Sequence, residues 1–139
     1  MRMSEERVSN CIRRGAITCS AETSLIFVAQ IMVVNRIRYC VVINDNHEVL
    51  GLISADMMID AFDKGIDQMK AKEIVSRNAI VTVSPSMLLT EAVDLMVKKR
   101  VEHIVVIPDK PGSSAVIGLV FARDIVARMA RSQEQDGRA

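Results

Sequence analysis

The sequence predicts a mixed α/β (α+β) chain in which a single β-α-β-β-α unit occurs twice. Three observations predict it. Moved along by 64 positions, Thr18, Ser20, Leu25, Met32, Arg36, Val41, Val42 and Ile43 fall on Thr82, Ser84, Leu89, Met96, Arg100, Val105, Val106 and Ile107. After a slip of three residues, Gly51-Leu52-Ile53 falls on Gly118-Leu119-Val120. Within each copy, short continuous apolar runs that suit buried strands alternate with stretches of helical apolar spacing. A period near 64 exceeds that of solenoid repeats, and two copies make no array. The copies are therefore expected to be related by pseudo-two-fold symmetry, packed through their small sheets around a shared core. A lone repeat of roughly 60 residues would bury only about 60% of its unfolded surface, so each needs the other. The expected division is residues 1–66 for the first repeat with its N-terminal segment and 67–130 for the second. A polar tail, 131–139, is expected to fray.

The elements follow in order. An extended piece opens each copy, from Ala16 to Ser20 and from Ile80 to Ser84. In the first copy Ser24 is placed to cap a helix from Leu25 to about Asn35, whose apolar face carries Leu25, Val28, Ile31 and Met32. In the second, Leu89, Ala92, Val93 and Met96 repeat that face. Leu88 takes the cap position there, which leaves Ser86 as the nearest side-chain cap. The runs Tyr39–Ile43 and His103–Ile107 read as buried strands. Turn residues follow, 44–47 in one copy and 108–114 in the other, and Val49–Ile53 and Val116–Val120 close the two hairpins. Second helices are expected from about Ala55 to Asp63, ended by Lys64-Gly65, and from about Ala122 to Ala130. Residues 66–79 link the copies.

Composition excludes several function classes. A formal charge of +1 gives no global basic field, which argues against non-specific nucleic-acid binding. Arg13-Arg14 and Lys98-Lys99-Arg100 are the only basic runs, and runs that short read as solvated faces. Aromatics make up 3% of the chain, too few for a platform of stacked bases. No signal-peptide core follows the charged start, and no apolar run approaches the roughly 18 residues of a membrane span. A cytoplasmic chain is expected, without membrane. Cys11, Cys19 and Cys40 are scattered and lack a CxxC spacing; the last two sit in apolar runs and read as core. His47 and His103 form no ligand cluster, and no phosphate-loop, dinucleotide or nucleophile-elbow motif occurs among the six glycines. No metal, no required cofactor and no catalysis are expected.

One duplicated constellation has chemical content. At the exit of the third strand the chain reads Gly51-Leu-Ile-Ser54-Ala-Asp56-Met57 and Gly118-Leu-Val-Phe121-Ala-Arg123-Asp124. Glycine admits close approach of another group to the backbone. The strand then gives way to a helix whose first N–H groups and positive end favour an anion. A hydroxyl at the cap adds a donor, and a carboxylate three residues on could accept bonds from both hydroxyls of a ribose. The simpler reading is that Ser54 caps its helix while Asp56 and Asp124 complement the dipole.

These segments resemble the CBS domain, and the chain is similar to a tandem CBS pair, a Bateman module, over about residues 8–130. The turns "TCSAETSL" and "TVSPSMLL", Met32 and Met96 late in the helices, the strands "RYCVVIND" and "EHIVVIPD", and "GLISAD" with "GLVFARD" carry the resemblance. It implies a regulatory module that binds adenosine compounds in two clefts between the halves. By this resemblance Ile17-Thr18 and Val81-Thr82 would hold the base, and Arg38-Tyr39 and Glu102-His103 would approach phosphate. The family pattern G-h-h-[ST]-x-x-D supplies a hydroxyl for phosphate and a carboxylate for ribose. The first copy has Ser54 but Met57 in place of the carboxylate, with Asp56 one position early. The second has Asp124 but Phe121 in place of the hydroxyl, where the ring would pack against base or sugar. Arg38 and Arg123 are the candidate phosphate partners, since guanidinium forks suit phosphate oxygens.

The expected function is thus a small ligand sensor without catalysis of its own. An adenine nucleotide, NAD, S-adenosylmethionine or a cyclic dinucleotide would favour one arrangement of the halves, and an unidentified regulated protein would read it. Met32, Met57, Met58, Met96 and Met129 are expected to leave apolar surface for a homodimer, which the resemblance implies is flat. The alternative is a degenerate pair that only dimerises or docks, its clefts filled by side chains such as Phe121 and Met57.

Overall fold

Every strand and helix expected of the two repeats forms in the computed structural model, which describes residues 3–14, 17–77, 80–110, 112 and 115–136. The chain order is β1 (Arg13–Arg14), β2 (Thr18–Ser20), α1 (Leu25–Asn35), β3 (Tyr39–Ile43), β4 (Val49–Ser54) and α2 (Ala55–Asp60). It continues with β5 (Thr82–Val83), α3 (Leu89–Lys99), β6 (His103–Val106), β7 (Gly118–Phe121) and α4 (Ala122–Asp136). Two units result: Ile17–Ile80, and a second made of Met1–Ala16 together with Val81–Ala139.

In the Ile17–Ile80 unit, β2 runs parallel to β3 and β3 antiparallel to β4, in the order β2-β3-β4. Helix α1 packs Leu25, Val28 and Met32 against the sheet residues Cys40, Val42 and Ile53. Ser24 caps α1 as expected, its Oγ accepting from the Phe27 N–H at 3.2 Å. Helix α2 ends at Asp60, short of the expected Asp63; Gly65 lies in a left-handed turn (φ 82) that precedes a 3-10 turn, Ile66–Gln68. The hairpin turn is held by Asn44, whose Oδ1 accepts from the N–H groups of Asn46 and Glu48 at 2.9 and 3.0 Å.

Residues 66–77, expected as a link, close this unit instead. The Leu25 N–H donates to the Met69 carbonyl at 2.9 Å, and the Ala71 N–H to that of Thr23 at 2.8 Å. Ser76 and Leu52 exchange backbone bonds at 2.9 and 3.0 Å. Ala71, Ile74 and Val75 join the same core.

The other unit has the sheet order β1-β7-β6-β5, with β5 and β6 parallel and the rest antiparallel. Its core joins Leu89, Ala92 and Met96 of α3 to Ile104, Val106 and Val120. The N-terminal segment, expected with the first repeat, pairs here: Leu89 N–H donates to the Glu6 carbonyl at 2.8 Å and Val8 N–H to that of Met87 at 2.9 Å. Arg13 stands opposite Leu119 as Ser76 stands opposite Leu52. Residues 6–14 thus serve this unit as 69–77 serve the other, 63 positions on. The segment also answers the missing cap on α3. Ser86 bonds to Ser84 and Asp109 rather than capping, and the Glu6 carbonyl takes the first orphan N–H.

Helix α4 runs to Asp136, beyond the expected end at Ala130, so residues 131–136 of the expected tail are helical. Residues 137–139, like Ala16 and turn residues 111, 113 and 114, lie outside the described residues. Glu6 is buried beside α4, accepting from Nε of Arg128 and from the Asn10 amide. Both bonds favour the carboxylate and, led by Arg128, hold it below its ordinary range. Cys19 and Cys40 are buried core residues as expected; their mutual hydrogen bond and burial push the Cys40 thiol up. No helix among the described residues is long and apolar enough to cross a membrane.

Candidate functional site

In each unit the strand directions bring the candidate residues to one end of the sheet. Strand β2 opens at Thr18 and β3 at Tyr39, while the antiparallel β4 ends at Ser54, so Tyr39 and Ser54 stand opposite one another. In the other unit Thr82 opens β5, and His103 stands opposite Phe121. The corner is the same in both: Ala55 N–H donates to the Arg38 carbonyl and Ala122 N–H to that of Glu102, each at 2.8 Å. Ile17, whose carbonyl accepts from Val41 N–H at 3.2 Å, and Val81, which accepts from Val105 N–H at 2.8 Å, hold the strand entries.

The two corners differ in their side chains. In the first, the Ser54 Oγ accepts from the Met57 N–H at 3.2 Å while the Met57 sulfur accepts from the Ser54 N–H at 3.4 Å. Met57 therefore closes a capping box, and the Ser54 hydroxyl keeps its proton for another acceptor. Asp56 points outward with 85% of its side chain exposed, 3.3 Å from Arg38, itself largely exposed. The ion pair is a surface pair of small worth.

In the second corner Asp124 takes the place of Met57. Its Oδ2 accepts from the Phe121 N–H at 3.1 Å, and its Oδ1 accepts from Nη2 of Arg13 at 2.8 Å. The carboxylate is only 20% exposed, yet each oxygen retains a lone pair. Phe121 is buried at 6% exposure, and the Arg13 and Arg123 guanidiniums lie 5.3 and 5.5 Å from its ring centroid. His103 is buried in β6; burial depresses its pKa, against an opposing influence of Glu102. Thr82 and Arg123 are exposed.

Sequence reasoning missed Arg13, which it read only as a basic run. Arg13, Asn10, Arg131 and Asp124 line a cavity of about 230 Å³ in this unit. The signal was the 63-residue offset, which aligns Arg13 with Ser76 and hence sets it beside β7. The corner glycines do admit a close neighbour, and that neighbour is the flanking segment: a Cβ on Gly118 would lie 2.6 Å from the Arg13 carbonyl oxygen, and one on Gly51 2.8 Å from that of Ser76.

Met32, Met58 and Met96, expected to leave apolar surface, are instead buried, because their side chains fill the space between helix and sheet. They floor two equivalent grooves. One lies between α1 and α2 (Val33, Ile37, Ile59), the other between α3 and α4 (Val97, Val101, Val126). Among the described residues no group of three or more His, Cys, Asp or Glu could hold a metal ion.

The CBS domain family model matches residues 8–64 and 71–131. An uncharacterized Methanopyrus kandleri protein, MK0525, is 30% identical over 122 residues, covering 86% of this chain, which spans 60% of that protein's length. Among solved structures, a putative acetoin utilization protein (AcuB) from Vibrio cholerae superposes with a TM-score of 0.83 at 18% identity, over 96% of this chain and 97% of that one. The CBS domain pair of MJ0100, crystallised with 5′-methylthioadenosine and S-adenosyl-L-methionine, superposes with a TM-score of 0.80 at 19% identity, over 91% and 98%. With both copies matched, the chain belongs to the CBS domain family and carries the domain in tandem.

Proposed function

We propose that the chain is a regulatory module that binds an adenosine-containing ligand at the strand-to-helix corners and performs no catalysis. The observation that carries this reading is the duplicated corner, with the Ser54 hydroxyl at one helix start and the Asp124 carboxylate at the other. The ligands of MJ0100 support the choice of adenosine compounds. In this reading Ile17, Thr18 and Thr82 border the base; Arg38, Tyr39, His103 and Arg123 lie toward phosphate; and Asp124 takes the ribose hydroxyls. Asp56, turned to solvent, contributes least. Occupancy favours one arrangement of the repeats, and a cytoplasmic partner protein reads it. The apolar groove present in each unit supports self-association as a homodimer.

A thermal-shift screen with AMP, ADP, ATP, NAD, S-adenosylmethionine and cyclic dinucleotides tests the reading. A ligand at about 100 times its Kd adds roughly 2.7 kcal/mol, which should raise Tm by about 3–6 °C. No shift at millimolar concentration with any of them would favour the second reading, a pair that only dimerises or docks. The buried Phe121 ring is the observation on that side.

A further inference from the structure

The two corners differ at two places together. Where one unit has Asp124 the other has Met57, and where one flanking segment has Arg13 the other has Ser76. Ser76 meets its sheet through backbone bonds with Leu52. Arg13 does more. Its backbone pairs with Leu119, its Nη2 donates to Asp124 Oδ1 at 2.8 Å, and its guanidinium lies 5.3 Å from the Phe121 ring centroid. A side chain of the flanking segment thus reaches the carboxylate assigned to the ribose hydroxyls. The segment itself is an edge element. Strand β1 adds two paired residues at the margin of the sheet, and ahead of it Val8 enters the core while Glu6 pairs with Arg128. A short edge strand opens locally at a smaller cost than the whole unit.

We infer that Arg13 is a positioning residue for this corner: through Asp124 it couples docking of residues 6–14 to occupancy by a ligand with a free ribose diol. The inference rests on the adenosine reading and adds a moving part to it. With the segment docked, Asp124 is fixed at both oxygens, Oδ1 by Arg13 and Oδ2 by the Phe121 N–H at 3.1 Å. Its side chain is only 20% exposed, and a charge so sheltered depends on its counter-charge. When the segment lifts, Arg13 leaves with it. The carboxylate then loses one fixing bond and its counter-ion, and its rotamer is set less firmly. Two hydroxyls that bond one carboxylate bind best when it is already held in place. The linkage is reciprocal: a docked segment tightens the ligand, and the ligand holds the segment by the same factor, typically about 5–150-fold. The other unit has no such link, since neither Met57 nor Ser76 carries a charge.

The test separates positioning from a direct contact of Arg13 with phosphate. Calorimetry compares AMP with 2′-deoxy-AMP, which keeps the phosphate and lacks the diol. The unaltered chain should bind AMP about 10-fold or more tighter than 2′-deoxy-AMP. Arg13→Gln, its folding checked by circular dichroism, should weaken AMP by about 10-fold and 2′-deoxy-AMP far less. On an Asp124→Ala background the same change should cost AMP nothing further. Equal loss for both nucleotides, or losses at Arg13 and Asp124 that simply add, overturns the coupling while leaving the adenosine reading standing. Hydrogen exchange on the unaltered chain needs no variant and decides should Arg13→Gln fail to fold. AMP should slow the amides of residues 8–14 by about 5-fold or more, and 2′-deoxy-AMP should slow them less. Equal protection by the two, or none, overturns the proposal. A chain that does not bind AMP overturns it as well, and the thermal-shift screen then shows separately whether the adenosine reading falls with it.

Discussion

Arg13 and Asp124 are 111 positions apart in the chain and 2.8 Å apart in space, joined by a guanidinium-to-carboxylate hydrogen bond beside the Phe121 ring. The carboxylate that resembles a ribose acceptor is thereby oriented from two sides, by Arg13 and by the backbone N–H of Phe121. Among the described residues, Asp56 in the other unit is paired with Arg38, and both side chains are largely exposed.

Asp124→Ala should therefore weaken binding of an adenosine compound by about 1.5–3 kcal/mol, the worth of hydrogen bonds to a charged group. Asp56→Ala should leave affinity nearly unchanged. Calorimetric titration of both variants measures the difference, and a larger loss at Asp56 would reverse the assignment.

Phe121 is the next discriminating position. Its ring is buried between sheet and flanking guanidiniums, so Phe121→Thr should cost about 2–4 kcal/mol of stability, the range for large-to-small core changes. Denaturant unfolding reads that loss. A variant as stable as the original, with AMP bound more tightly than adenosine by comparison, would mean the ring occupies a phosphate position instead.

Gly118→Ala tests the flanking strand. The added Cβ would meet the Arg13 carbonyl oxygen at 2.6 Å and Ile12 Cγ2 at 2.5 Å, so β1 must shift from β7. A loss of about 1–3 kcal/mol is expected. Hydrogen exchange should show faster opening at β1 and β7, with the Ile17–Ile80 amides unaffected.

The Glu6–Arg128 pair gives a pH dependence. The folded carboxyl titrates below its ordinary 4.5, held there chiefly by the Arg128 hydrogen bond. Its stabilisation is complete above that value and is lost as pH falls through the folded pKa. Glu6→Gln should lower stability at pH 7 by about 2 kcal/mol, because it leaves Arg128 without its buried counter-charge. It should also flatten the decline below pH 4.5, which unfolding curves at stepped pH would record. An unchanged acid profile would remove Glu6 from the account.

The doubling of the fold was legible because residues that fill equivalent space repeat at a fixed offset: Leu25 with Leu89, Met32 with Met96, Val41 with Val105. The flanking segments escaped notice for a physical reason. They pair largely through backbone groups, and only their few core positions match in kind, Val8 with Ala71 and Ile12 with Val75, while Glu6 aligns with Met69 and Arg13 with Ser76. One of them also precedes the first copy in sequence while serving the second. At the candidate site, the Ser54 cap and the outward turn of Asp56 follow from helix geometry alone. The burial of Phe121 under two arginines does not, because one of them comes from a flanking segment tied to the corner only by the 63-position offset.

The interleaving has a consequence for synthesis. Everything Ile17–Ile80 needs emerges in one stretch, whereas the unit holding the earliest described residues is completed last. At about 5–20 residues per second, Val8 waits for Leu89, and Glu6 waits roughly 6–24 s for Arg128. Until then Val8 and the unpaired edge of β1 are open to chaperones or to the wrong strand. A tag or partner domain joined ahead of residue 3 would hang from the half that matures last.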